Sequence, residues 1–227
     1  MIFIACGRSK SRRDTFNDDQ VSIHTGELIE IDFSDSNYSG LQSHVADTVT
    51  EFGWIINYLV RDDSTKCNDV YIKCSNGEWT GTYKDAEVLL MRRYFIPVYA
   101  GESSSFIYFT HGCATDCSAL LVFSKDSNCQ FKDYNHVIDY SVECSQVLHL
   151  TDSDFENENQ IYQLSLIELT KDKTHKISYN NICQSPYKPS CIDTVIFEKS
   201  RVTVKSSLLE KMGSDTEIKQ TKIVDLQ

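Results

Sequence analysis

From residue 69 to its end the chain is written in short runs of β-branched and aromatic residues. They are DVYIKC (69–74), EWTGTY (78–83), SFIYFTH (105–111), SALLVFSK (118–125), NHVIDYSV (135–142), QVLHL (146–150), IYQLSLIEL (161–169), HKISY (175–179), TVIFEKSRVTV (194–204) and TKIVDL (221–226). Polar turns separate them at intervals of about 8–15 residues, the texture of short antiparallel strands. The SNG linking the first two carries an Asn-Gly hairpin signal at Asn76-Gly77. EVLLMRRYFIPVYA (87–100) is a longer apolar run whose Pro97 implies an edge strand or a bulge. Strands of this length bury their apolar faces by packing sheet on sheet. The expected fold is therefore mainly β with a minor α part (α+β): an antiparallel β-sandwich or barrel-like sheet. No 20–50-residue repeat is visible, which argues against a propeller or solenoid.

The N-terminal part reads differently. ELIEIDF (27–33) alternates apolar and acidic residues, as a strand does. In SNYSGLQSHVADTVTEF (36–52), Leu41, Val45, Val49 and Phe52 fall at spacings of four, four and three, which predicts one N-terminal helix near 41–52. Ser39 or Ser43 is its candidate N-cap and Gly53 its stop, before a strand at WIINYLV (54–60). Residues 7–26 are charged and poor in apolar side chains, and read as a tether. The expected organisation is a tether over 1–26 and one mainly-β globular domain over 27–227.

Charge and cysteine content narrow the function. A formal net charge of −11 opposes nucleic-acid binding, which needs a basic face to replace phosphate counterions. No apolar run approaches the roughly 18 residues of a membrane span. There are 9 cysteines, many for a reducing compartment. With Cys6 set aside, eight remain in four sequence-local pairs: Cys67/Cys74, Cys113/Cys117, Cys129/Cys144 and Cys183/Cys191. Parity and clustering favour disulfides, and with them an oxidising compartment, over buried free thiols. Eight cysteines allow 105 connectivities, so nearest-neighbour pairing is a choice guided by spacing.

Three constellations invite a chemical reading. HGCATDC (111–117) sets Cys113 close to His111, with Asp116 near, as a nucleophile, base and orienter would be. Cys113 and Cys117, at i and i+4 across a turn, are well placed to bond to each other, so a structural Cys113–Cys117 disulfide is favoured over catalysis. Zinc sites use paired short spacings such as C-x2-C, none of which occurs, and the six histidines stand singly, so no metal or cofactor is expected. The acidic run TDSDFENENQ (151–160) places Asp152, Asp154, Glu156 and Glu158 at every second position. It lacks the glycine and the bidentate glutamate of a calcium loop. It reads instead as a solvated loop, or as an acidic patch facing a partner. Gly-rich phosphate loops, G-x-S-x-G and H-E-x-x-H are absent from the sequence, and the expectation is a protein without catalytic residues.

Phe3-Ile4-Ala5-Cys6, followed by Gly7, resembles the lipobox of bacterial lipoproteins, with Phe3 where leucine is usual. That resemblance implies lipidation at Cys6 after cleavage of a longer precursor, or a cytosolic form from an internal start. Gly7 is not the retention aspartate, so an outer-membrane lipoprotein of the periplasm is implied, attached to the membrane only through its N-terminal lipid. An acidic, disulfide-stapled, mainly-β chain of this kind resembles the lipoprotein immunity proteins that neutralise type VI secretion phospholipase effectors. The resemblance implies that the cognate toxin is the partner and that occlusion is the mechanism. An envelope structural lipoprotein and a periplasmic hydrolase are the alternatives.

Overall fold

The computed structural model describes residues 27–35, 38, 41–61, 70–85, 94–114, 117–151, 162–183, 188–211 and 214–226. The expected tether and Cys6, together with Cys67 and the acidic run 152–160, lie outside the described residues.

The chain is mainly β, and among the described residues its strands form four antiparallel sheets in sequence order. The first contains β1 (Leu28–Glu30), β2 (Thr48–Val49), β3 (Ile55–Arg61), β4 (Val70–Ser75) and β5 (Thr80–Asp85). Here β1 and β2 pair end to end along one edge of β3. The second is β6 (Val98–Glu102), β7 (Phe106–Ala114), β8 (Cys117–Ser124) and β9 (Phe131–Tyr134). The third is β10 (Val137–Ser141), β11 (Gln146–His149), β12 (Gln163–Glu168) and β13 (Lys173–Ser178). The fourth is β14 (Ile192–Glu198), β15 (Arg201–Leu209) and β16 (Glu217–Asp225). Each is an open path of strands, so no sheet closes into a barrel. Within each sheet the paired strands follow chain order as a meander, with β1 and β2 sharing one edge of β3.

Side-chain alternation decides how the sheets meet. On the second sheet Ile107, Phe109, Leu121 and Phe123 join Ile56, Tyr58, Val60, Val70 and Ile72 of the first in one buried cluster. The intervening Tyr108, Leu120 and Val122 point the other way and meet Val147 and Ile167 of the third sheet. Leu148, Leu164 and Leu166 turn from the third sheet to Val202, Val204 and Leu208 of the fourth. The result is a face-to-face stack in which the two inner sheets are buried on both sides. Continuous burial over Ala119–Phe123 and over Leu164–Glu168 follows from that position.

The predicted helix at 41–52 is not formed. A single turn, with Leu41 N–H donating to Tyr38 O and Val45 N–H to Leu41 O, buries Leu41 and Val45 and then stops. Asp47 ends it by accepting from Tyr58 N–H at 3.0 Å and from Asn57 Nδ2 at 2.9 Å, which holds the chain against β3. Thr48-Val49-Thr50 then continues in the extended form that β-branched residues prefer. Val49 and Phe52, half of the supposed apolar stripe, are 72% and 57% exposed. Gly53, at φ +78°, closes a β-turn rather than a helix. The Asn-Gly signal does mark a hairpin: Asn76 Oδ1 accepts from Glu78 and Trp79 N–H between β4 and β5. Pro97 immediately precedes β6, an edge strand of the second sheet.

A buried ion pair of the second sheet receives the β2–β3 turn of the first. Glu102 and Lys125 form a salt bridge with 3% and 5% of their side chains exposed. Glu102 Oε1 also accepts from Phe52 N–H at 2.9 Å, Lys125 Nζ donates to Ser103 O at 2.7 Å, and the ammonium lies 4.5 Å from the Phe52 ring centre. Burial raises the Glu102 pKa, but hydrogen bonds from Lys125, Phe52 N–H and Thr50 outweigh it and hold the carboxyl below the usual range. A carboxyl so depressed stabilises the fold above its unfolded pKa, and that contribution is lost as pH falls through the folded value. Glu102→Gln is expected to cost about 3 kcal/mol by leaving Lys125 buried and unpaired. Urea titrations below pH 5 should show the gap between wild type and variant closing; a gap independent of pH would refute the assignment.

Gly81 on β5 provides a second test. A Cβ there would meet the Phe123 ring edge and lie 2.6 Å from the Cys129 carbonyl oxygen, a backbone atom that cannot swing away. Gly81→Ala is therefore expected to destabilise by about 1–3 kcal/mol, read as a lower urea midpoint at unchanged slope.

Candidate functional site

The Cys-His constellation of the sequence sits at one end of the β7–β8 hairpin. The ladder shifts register between Gly112 and Ala114, so Cys113 is the extra residue of a β-bulge. Ala114 is left opposite Cys117, and the bulge re-aims Cys113 toward that residue. Cys113 and Cys117 form a disulfide with a Cα–Cα separation of 5.1 Å. A sulfur held in that bond is no thiolate nucleophile, and the neighbouring histidine points elsewhere. His111 places Nε2 3.1 Å from Asp133 Oδ1 on β9 and Nδ1 2.9 Å from Gly112 O. Asp116 lies outside the described residues.

The histidine that does face the sulfurs is His136, whose Nδ1 lies 3.3 Å from Cys117 Sγ. His136 belongs to the two-residue link between β9 and β10, where the second sheet passes to the third. It adopts a left-handed backbone at φ +52°, and its carbonyl accepts from Leu150 N–H at 3.1 Å. The three ligand atoms, Cys113 Sγ, Cys117 Sγ and His136 Nδ1, lie within 4.8 Å of one another on half-buried residues. Sequence reasoning passed over His136 because nothing local marks it; its approach to Cys117 depends on how two sheets stack.

This cluster borders a cleft of about 550 Å³ between the second and third sheets. Thr110, His111 and Cys117 form part of one wall, Val137, Asp139 and Tyr140 part of the other, and Tyr94 lies at the mouth, 66% exposed. Partial burial raises the Asp139 carboxyl above its ordinary range, against a hydrogen bond from Tyr140 N–H. At the opposite end of β7 and β8 a second cleft, about 640 Å³, is lined by Lys125, Lys132 and Lys171 among others. Each of these cations has an acidic partner, Glu102, Asp172 and Glu168 respectively. The groove therefore offers no unbalanced positive charge from them.

The other cysteines divide between bonded and free. Cys183 and Cys191 form a disulfide with Cα atoms 5.9 Å apart, bridging the segment before β14. The expected Cys129–Cys144 pair is not formed, and both are free thiols. Cys129 packs on the cluster between the first and second sheets, whereas Cys144 lies in the β10–β11 turn of the third. Cys74 is also free and fully buried on β4, with burial and the neighbouring Cys129 pushing its thiol pKa well up. Its expected partner, Cys67, lies outside the described residues, as do the acidic residues Asp152, Asp154, Glu156 and Glu158.

No known family model matches this chain, and no curated protein matches it. Among solved structures it is similar to the β-propeller domain of the trilobed protease from Pyrococcus furiosus, described as having an open velcro topology. The likeness has a TM-score of 0.37 at 8% identity, and covers 80% of this chain and 52% of that one. The chain thus spans about half the length of the structure it matches.

Proposed function

We propose that this chain is a protein-binding module of an oxidising compartment: an immunity-type inhibitor that occludes a secreted toxin of the phospholipase or lipase class. The observation that carries the reading is the Cys113–Cys117 disulfide at the cleft mouth. It engages the one thiol that sequence placed close to a histidine and fixes the turn bearing it. A disulfide closing so short a loop contributes about 2 kcal/mol by restricting the unfolded chain. The net charge of −11 favours encounter with a basic partner. On this reading Cys6 carries the lipid anchor at the outer membrane, and Asp152, Asp154, Glu156 and Glu158 form part of the contact surface.

Two measurements test it. Alkylation of the unreduced native protein followed by peptide mapping should find Cys113 joined to Cys117 and Cys183 to Cys191, with Cys74 unlabelled until the fold is opened. Free alkylation of those four cysteines in protein taken directly from cells would remove the oxidising compartment. For binding, the chain should co-purify in fixed stoichiometry with a lipase-like effector encoded beside it and abolish that effector's lipid hydrolysis. Replacing Asp152, Asp154, Glu156 and Glu158 by their amides should slow association at least tenfold at low salt and much less at high salt. Undiminished hydrolysis in the presence of excess chain would reject the inhibitor reading.

A further inference from the structure

The Cys113–Cys117–His136 cluster has a second chemical state. With the disulfide closed, the two sulfurs and the imidazole nitrogen already lie within 4.8 Å of one another, and opening the bond makes both sulfurs available as donors. Two thiolates and one histidine are the donor set that zinc selects, and three protein ligands with one open position describe an accessible rather than a closed site. The spacing is suitable. Zn–S bonds of about 2.3 Å and Zn–N bonds of about 2.0 Å at a tetrahedral angle put sulfur and nitrogen about 3.5 Å apart. Cys117 Sγ and His136 Nδ1 are 3.3 Å apart.

The backbone has already fixed the three ligands. Cys113 is turned inward by the bulge, and Cys117 is the first residue of β8. His136 is held in a left-handed conformation by the tight β9–β10 link, with its carbonyl bound by Leu150 N–H. Reduction of one bond therefore frees donors whose Cα positions are set by three paired segments, and little chain has to be ordered on binding. Cys117 also lines the 550 Å³ cleft, which gives an ion a route in and leaves room for a fourth ligand.

We propose that reduction of the Cys113–Cys117 disulfide converts this turn into a zinc site, with Cys113 Sγ, Cys117 Sγ and His136 Nδ1 as ligands and the fourth position open to the cleft. The reductant is a dithiol: its two sulfurs become a disulfide, and two electrons and two protons pass to Cys113 and Cys117 as thiols. Zn²⁺ then displaces both thiol protons to solvent and takes the Nδ1 lone pair, leaving the ring proton on Nε2. The site is available in the reduced state and absent in the oxidised one, so the turn alternates between a disulfide clamp and a metal clamp. This goes beyond the inhibitor reading, and failure of either leaves the other standing.

The test uses the full chain and Co²⁺ as a spectroscopic probe for zinc. Protein reduced with a phosphine and then freed of it should develop thiolate-to-cobalt charge transfer for two sulfurs, with visible bands of tetrahedral intensity. Stoichiometric Zn²⁺ should abolish both. Unreduced protein should bind at least a hundredfold more weakly. The double variant Cys113→Ser/Cys117→Ser should lose the signal, His136→Ala and His136→Gln should each weaken binding at least tenfold, and Cys183→Ser/Cys191→Ser should leave it unchanged. Far-UV circular dichroism checks that each variant retains its β content, and His136→Gln decides if the alanine variant unfolds. A reduced wild type without the bands overturns the proposal. So does a signal that survives in Cys113→Ser/Cys117→Ser, or one indifferent to both His136 variants.

Discussion

The architecture depends on burying the second sheet from both sides. Along β8, Ala119 to Phe123 are all sequestered, with Leu121 and Phe123 against the first sheet and Leu120 and Val122 against the third. A strand used in this way cannot slip by one residue, because the slip would exchange the entire contents of its two faces. β7 repeats the constraint, with Phe109 turned to one cluster and Tyr108 to the other. With the second sheet fixed, the first and third have only one way to present their apolar rows. The third then passes the demand to the fourth. The fourth has no described neighbour beyond it, and its strands revert to the alternation expected of a sheet packed on one side.

Apolar faces set which sheets meet but not where they stop sliding, and buried polar contacts fix that. Glu102 and Lys125 lie where the Thr50–Trp54 turn of the first sheet reaches the β6–β7 and β8–β9 turns of the second. In the third sheet, buried Glu168 receives His175 Nε2 at 2.7 Å and Lys171 Nζ at 2.8 Å. Beside it on β11, Gln146 Nε2 donates to Glu198 O of the fourth sheet at 3.2 Å. Desolvating such charges offsets most of their attraction, so their effect is positional more than stabilising. Misaligned sheets would take Phe52 N–H from Glu102 and the Glu198 carbonyl from Gln146, leaving buried polar groups without those partners. In this way the cross-sheet hydrogen bonds of Glu102 and Gln146 fix the alignment of sheets that the apolar faces bring together.

The strands were legible in the sequence because β-branched and aromatic runs between polar turns state a local preference. Their stacking was not, since a doubly buried strand such as SALLVFS shows no period, and the meanders share no residue pattern. The helix at 41–52 was misread because Leu41, Val45, Val49 and Phe52 satisfy a helical spacing that Asp47 overrides. Its side chain binds the backbone of β3, a partner eleven residues away that periodicity cannot represent. For the cysteines, Cys113–Cys117 and Cys183–Cys191 formed as sequence spacing suggested, whereas Cys74, expected to pair with Cys67 seven residues away, is a free thiol. Cys129 and Cys144 did not pair, because tertiary structure assigns one to a sheet interface and the other to a distant turn. His136 was invisible for the same reason.

The same distinction separates thiols that can do chemistry from those that cannot. Cys74 sits against Ile56 and Ile72 with no exposed surface, and burial keeps it a protonated, apolar filler. Cys113 and Cys117 stand at a hairpin tip where solvent, a histidine and a cleft converge. Exposure makes a disulfide reducible, and a nearby imidazole can stabilise the thiolate that leaves when the bond is attacked. What distinguishes this turn from the Cys183–Cys191 clamp is therefore its surroundings rather than its spacing. Those surroundings come from the two-residue β9–β10 link, which sets His136 at the joint between two sheets. The joint that the core requires for packing is thus also what places a third donor beside two sulfurs.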